Sequence, residues 1–134
     1  MAHVRAVSRD LLGALATLGR YPFPPEGTWS GCDDVGGKAL YQVRARLEPD
    51  AGGDRRLVDA VRAGLGEAGV VLREVPAGTD DPVTLAGRRD GVHVQVTGYS
   101  TRPDVLVDLT GPCLDVGDLD TELLSRLAED VDLG

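Results

Sequence analysis

The sequence contains no run of the roughly 20 apolar residues that a membrane-spanning helix needs, so it is expected to be water-soluble, without direct insertion into a bilayer. Basic charge is short too. Fourteen Lys and Arg face 22 Asp and Glu, a formal net charge of -8, which repels phosphate backbones and anionic lipid. Nucleic acid is therefore excluded as an expected partner. Cysteine is limited to two residues, Cys32 and Cys113. A structural zinc site takes four ligands, and neither His3 nor His93 stands at a ligand spacing from either thiol. No metal and no other cofactor is expected. Aromatic residues amount to 4% of the chain, so their positions are informative.

With 134 residues, 42% of them hydrophobic, the chain is sized for one domain, 1–134, that buries a core unaided. Its first segment, MAHVRAVSRDLLGALATLG, has the basic start and the Ala14-Leu15-Ala16 triplet of a signal peptide, but Asp10 interrupts the apolar stretch. Val4, Val7, Leu11, Leu12, Leu15 and Leu18 instead make one stripe of an amphipathic helix ending near Gly19. Ser30-Gly31-Cys32 resembles the small residues before a lipidated cysteine, yet Trp29 stands where an aliphatic residue belongs and no hydrophobic segment precedes it. Any signal or lipid anchor is expected upstream of Met1.

From Ala39 to Leu47, Tyr41, Val43, Ala45 and Leu47 alternate with polar residues, the period of a half-buried strand. Asp54 caps a predicted helix carrying Leu57, Val58, Val61, Leu65 and Ala68, with Gly69 as its stop. VVLREV, residues 70–75, reads as a strand. Asp90-Gly91 is a type I′ turn signal joining VTLAGRR to VHVQVTG, and VLVDLT, 105–110, follows. Asp118 caps a predicted terminal helix bearing Leu119, Leu123, Leu124 and Leu127. The order is α-β-α-β-β-β-β-α. It predicts an α+β fold with a five-stranded, mostly antiparallel sheet and helices on one face.

Cys32 then precedes the first predicted strand and Cys113 follows the last, in the similar surroundings Gly31-Cys32 and Gly111-Pro112-Cys113. Matched strand ends favour a Cys32–Cys113 disulfide, a bond that persists outside the cytosol. The competing reading is two unrelated buried thiols.

Helix, Trp29 and Cys32, Tyr41 in a strand, a helix ending at Gly69, VVLREV, a DG hairpin and a strand ending at Cys113 make an order that resembles small actinobacterial extracytoplasmic domains of the lipoprotein type. The resemblance covers residues 4–113. It implies an α+β fold and a cell-envelope or secreted location. It implies no activity, since those domains have none assigned, and this chain departs from them in lacking their signal segment and acylated cysteine and in adding a C-terminal helix.

One polar constellation stands out. The DG hairpin sets Arg88 opposite His93, and a register pairing Val96 with Val105 sets His93 opposite Asp108. A carboxylate beside an imidazole orients it as a base, but no nucleophile accompanies this Arg88-His93-Asp108 row, and such rows are ordinary on solvated sheet faces. VGGK, 35–38, lacks the spacing of a phosphate loop. Asp33-Asp34, Asp80-Asp81 and DVGDLD, 115–120, lack the alternating ligands of a calcium loop. Tyr21, Phe23 and Trp29, in the proline-stiffened RYPFPPEGTW, are the candidate protein-binding surface, or else rings that cover the first helix or a sheet edge. No catalytic residue is assigned. The expected function is a non-enzymatic extracytoplasmic binding or accessory domain, the soluble part of a secreted protein or lipoprotein. The alternative is a cytosolic acidic antagonist, such as a toxin-immunity protein, that captures a basic enzyme by charge complementarity.

Overall fold

The computed structural model describes residues 2–32, 38–49, 56–75, 83–99, 104–115 and 129–131. Eleven elements follow in order: α1 (Ala2–Leu15), β1 (Gly19–Arg20), β2 (Glu26–Gly31), β3 (Lys38–Pro49), α2 (Arg56–Glu67), β4 (Arg73–Glu74), β5 (Val83–Arg89), β6 (Val92–Gly98), β7 (Val105–Thr110), β8 (Leu114–Asp115) and β9 (Glu129–Asp130). The sheet runs β4-β5-β6-β7-β3-β2-β9, and the short β1 and β8 pair with the ends of β3. Every pairing is antiparallel. The α+β class holds, but the sheet has nine strands among the described residues, where sequence periodicity predicts five.

The extra strands escape sequence reading for identifiable reasons. Gly27, Trp29 and Gly31 lie opposite Val43, Tyr41 and Ala39 of β3, which are inward residues. Two of the three inward positions of β2 are therefore glycines, so no apolar alternation shows. Arg20 pairs with Glu48 and Glu26 with Arg44, so five residues, 21–25, stand against only three of β3, 45–47. Prolines 22, 24 and 25 have no N–H to give to a ladder, and they occupy this bulge. The remaining extra strands are two residues each, too short to show a period.

VVLREV is not a continuous strand. Only Arg73–Glu74 pairs with β5. The Val70 N–H closes back onto the Leu65 carbonyl at 2.8 Å, behind Gly69, whose φ of +90° ends α2 in the way glycine allows. The chain then crosses β5 at Gly87. A Cβ there would stand 2.6 Å from the Val71 carbonyl oxygen, and Val71 itself is 76% exposed. The predicted cap Asp54 and the predicted terminal helix, Asp118 to Leu127, lie outside the described residues.

The rest agrees with its periodicity. Val4, Val7, Leu11, Leu12 and Leu15 of α1 and Val61 and Leu65 of α2 share one core with Tyr41, Val43, Ala45 and Leu47 of β3 and the inward residues of β5, β6 and β7. The helices pack on each other, α1 over β3 and β7 and α2 over β6. Asp90 and Gly91 take φ of 51° and 82°, the double positive φ of the I′ turn. Arg89 also donates to Asp10 at 3.2 Å, fastening this hairpin to α1.

Candidate functional site

Cys32 and Cys113 form a disulfide across 81 residues of sequence, with Cα atoms 6.0 Å apart. Gly31 of β2 and Leu114 of β8 both pair with Ala39 of β3. The bond therefore joins the two neighbours of β3 at its start. Alternate strands of a flat sheet stand roughly 10 Å apart, so the two coil residues leave the sheet to meet. Cys113 is exposed and Cys32 half-buried.

The three rings of the candidate binding segment are not presented together. Tyr21 is half-buried, and its hydroxyl donates to the Leu12 carbonyl at 2.5 Å. Leu12 is among the last four residues of α1, whose carbonyls have no partner within the helix, so Tyr21 is a side-chain cap, and burial pushes its phenol pKa up. Trp29 packs edge-on against Tyr41, with centroids 5.5 Å apart. Phe23 alone points outward, 66% exposed. The expected three-ring surface reduces to one ring, because alternation along β2 turns Trp29 to the core and the helix end claims Tyr21.

The sheet face opposite the helices carries the outward residues. Reading across strands, Thr28, Gln42, Thr110, His93 and Arg88 stand in one row, and Glu26, Arg44, Asp108, Gln95 and Ala86 in the next. Arg88 meets His93 as its hairpin dictates, with Arg88 Nη2 2.7 Å from His93 Nε2. A guanidinium only donates, so Nε2 is the acceptor in this contact. Asp108 does not join them. Val96 pairs with Val107, not Val105, which places His93 opposite Thr110 and Asp108 opposite Gln95. The valine alternation permits both registers, two residues apart, and the Gly98↔Val105 pairing leaves residues 99–104 as the connection. Asp108 instead pairs with Arg44 at 3.0 Å.

Between the two rows lies a shallow depression of about 200 Å³, bordered by Gln42, Arg44, His93, Gln95, Asp108 and Thr110. The sequence marks these residues as outward-facing polar positions, but their convergence needs the five-strand register. One end of the face is closed by charge: Arg46 contacts Glu48 at 3.4 Å and the buried Asp104 at 2.5 Å. The Arg46 Nε–H is not aligned along that contact, which is a charge pair and not a directed hydrogen bond. Among the described residues no group of three or more His, Cys, Asp or Glu is placed to hold a metal ion. No helix among them is long and apolar enough to cross a membrane.

No protein-family model matches this chain, and no curated protein matches it. Among solved structures it is similar to the crystal structure of the candidate lipoprotein LppA from Mycobacterium tuberculosis, with 11% identity and a TM-score of 0.47 over 94% of this chain and 79% of that one. At this identity and score the likeness bears on neither ligand nor reaction.

Proposed function

We propose that this chain is a non-enzymatic extracytoplasmic binding or accessory domain, the folded part of a secreted protein or lipoprotein, which meets its ligand with the open sheet face. The observation that carries the reading is the Cys32–Cys113 bond. One of its cysteines is exposed, hence open to attack by cytosolic thiols, and such bonds persist where the surroundings are oxidising. The polar face supports binding over catalysis. The partner of His93 among the described residues is the Arg88 guanidinium, not a carboxylate of the kind that orients an imidazole as a base.

The test is intact-mass analysis of protein alkylated before and after reduction, after export into an oxidising compartment. The expected result is no label until reduction and two labels afterwards. Two labelled thiols in the unreduced protein overturn the extracytoplasmic reading.

A further inference from the structure

We infer that the outer edge of β4 takes up an extended peptide as a further strand of the sheet, with an acidic residue of that peptide set opposite Arg73. This edge is distinct from the open face, and its occupant is independent of any ligand there. β4 lies at one end of the strand order, so only its β5 side is paired. Apolar exposure collects beside it. Of the four large hydrophobic side chains exposed among the described residues, Val71 at 76% and Val75 at 41% flank this two-residue strand.

One contact sets the hydrogen-bond phase of the edge. The Val75 N–H donates to the Thr84 carbonyl at 2.8 Å, and the Arg73↔Ala86 register places those two residues directly opposite each other. Bonded and non-bonded pairs alternate along an antiparallel ladder. The backbone groups of Arg73 and Val75 therefore face β5, and those of Leu72 and Glu74 turn away from it. The Leu72 carbonyl accordingly goes to Arg62 of α2, at 3.4 Å, and not to β5. Both backbone groups of Glu74 then stand ready for an incoming strand. In strand addition the main chain supplies affinity and the alternate side chains supply selectivity. Arg73, opposite Ala86, is exposed and forms no ion pair among the described residues. Opposite charges directly across two strands attract and like charges repel, so the strand that fits carries Glu or Asp opposite Arg73 and an apolar residue opposite Val75. A second copy of this chain fails that requirement. Antiparallel self-pairing about a two-fold axis through β4 keeps the bonding phase in two registers, one setting Arg73 against its own copy and the other setting Glu74 against its own.

The probe is the peptide acetyl-Thr-Val-Thr-Glu-Thr-Val-Thr-amide, which offers the same pattern in either direction. It is titrated at low ionic strength into the oxidised full chain and followed by NMR of backbone amides. The expected result is saturable shifts, largest at Leu72, Arg73 and Glu74, in roughly the millimolar range that so short an edge supports. N-methylation of the two threonines beside the glutamate removes the donors aimed at the edge and weakens binding about tenfold. Exchanging the glutamate for lysine weakens it about fivefold, and in the Arg73→Glu protein that preference reverses. Glu74→Pro, which removes an N–H that β5 does not use, abolishes binding while the amide spectrum of the other strands is kept. Arg9→Gln removes an equal charge from an exposed position of α1 and leaves the affinity within about twofold. Linear shifts, equal binding of the lysine or N-methylated peptide, no reversal in Arg73→Glu, or shifts centred on Gln42 and Gln95 of the open face overturn the assignment. A dimer of the protein alone in sedimentation equilibrium, dissolved by Glu74→Pro, gives the edge to a second copy and overturns it as well.

Discussion

Gly27→Ala tests how β2 is held. Gly27 is buried, and a Cβ built on it would lie 1.8 Å from Tyr41 Oη and 2.4 Å from Cζ. The obstacle is not a flexible tip. Tyr41 is 1% exposed, its ring sits against the edge of Trp29, and the Arg5 guanidinium lies 5.4 Å from its centroid. Relieving the clash forces either the ring off its partners or β2 away from β3. Overpacking of this kind costs about 1–3 kcal/mol, and the aromatic pair is worth about 0.5–1.5 kcal/mol. Replacing a strand glycine returns about 0.5–1 kcal/mol, so the terms together give a loss of about 0.5–4 kcal/mol, centred near about 2 kcal/mol.

Urea unfolding of the disulfide-bonded protein, followed by Trp29 fluorescence, reads this directly. At about 1–3 kcal/mol per molar, a loss of about 2 kcal/mol lowers the midpoint by about 0.7–2 M. Gly13→Ala is the control: beyond its chain neighbours and the local backbone of α1, nothing lies within 4 Å of its Cβ, so helix propensity alone raises stability by up to about 1 kcal/mol. A Gly27→Ala midpoint equal to wild type, or raised as in Gly13→Ala, refutes the packing of Tyr41 over Gly27.

Ser8 is fully buried in α1, with no hydrogen-bond partner for Oγ among the described residues, so Ser8→Ala is expected to raise stability by about 1 kcal/mol; destabilisation in the same urea assay points to a partner for the hydroxyl. Tyr21→Phe removes the bond to the Leu12 carbonyl and costs about 1 kcal/mol, whereas Phe23→Ala stays within about 0.5 kcal/mol. Because the folded Tyr21 pKa is raised above its unfolded value, its contribution is complete below about pH 10 and declines as pH rises beyond it; Tyr21→Phe removes that part of the decline in urea titrations run across the alkaline range. His93→Ala changes stability by less than about 0.5 kcal/mol, and a loss above about 2 kcal/mol contradicts its exposure on the open face.

The sequence by itself determined the elements whose signal is local. The apolar stripe of α1, the alternation of β3, the Asp90-Gly91 turn and the span of β7 all appear where their patterns place them. So does the matched pair Cys32 and Cys113, because flanking small residues and strand ends are visible along the chain. Periodicity reports which face a residue takes, and that information is carried by a few neighbours.

Tertiary structure alone decided the rest. Alternation distinguishes inward from outward but is blind to a shift of two residues, so Val96 against Val105 and Val96 against Val107 look alike in sequence. The second register separates Asp108 from His93 and gives it to Arg44. β2 was hidden because the ring that fills the space over Gly27 belongs to Tyr41, fourteen residues further along. VVLREV breaks because its chain must cross Gly87 before it can pair, a condition set by a strand not yet made. In each case the deciding atom lies on another element, and the physical cause is steric fit between segments that meet only when the sheet closes.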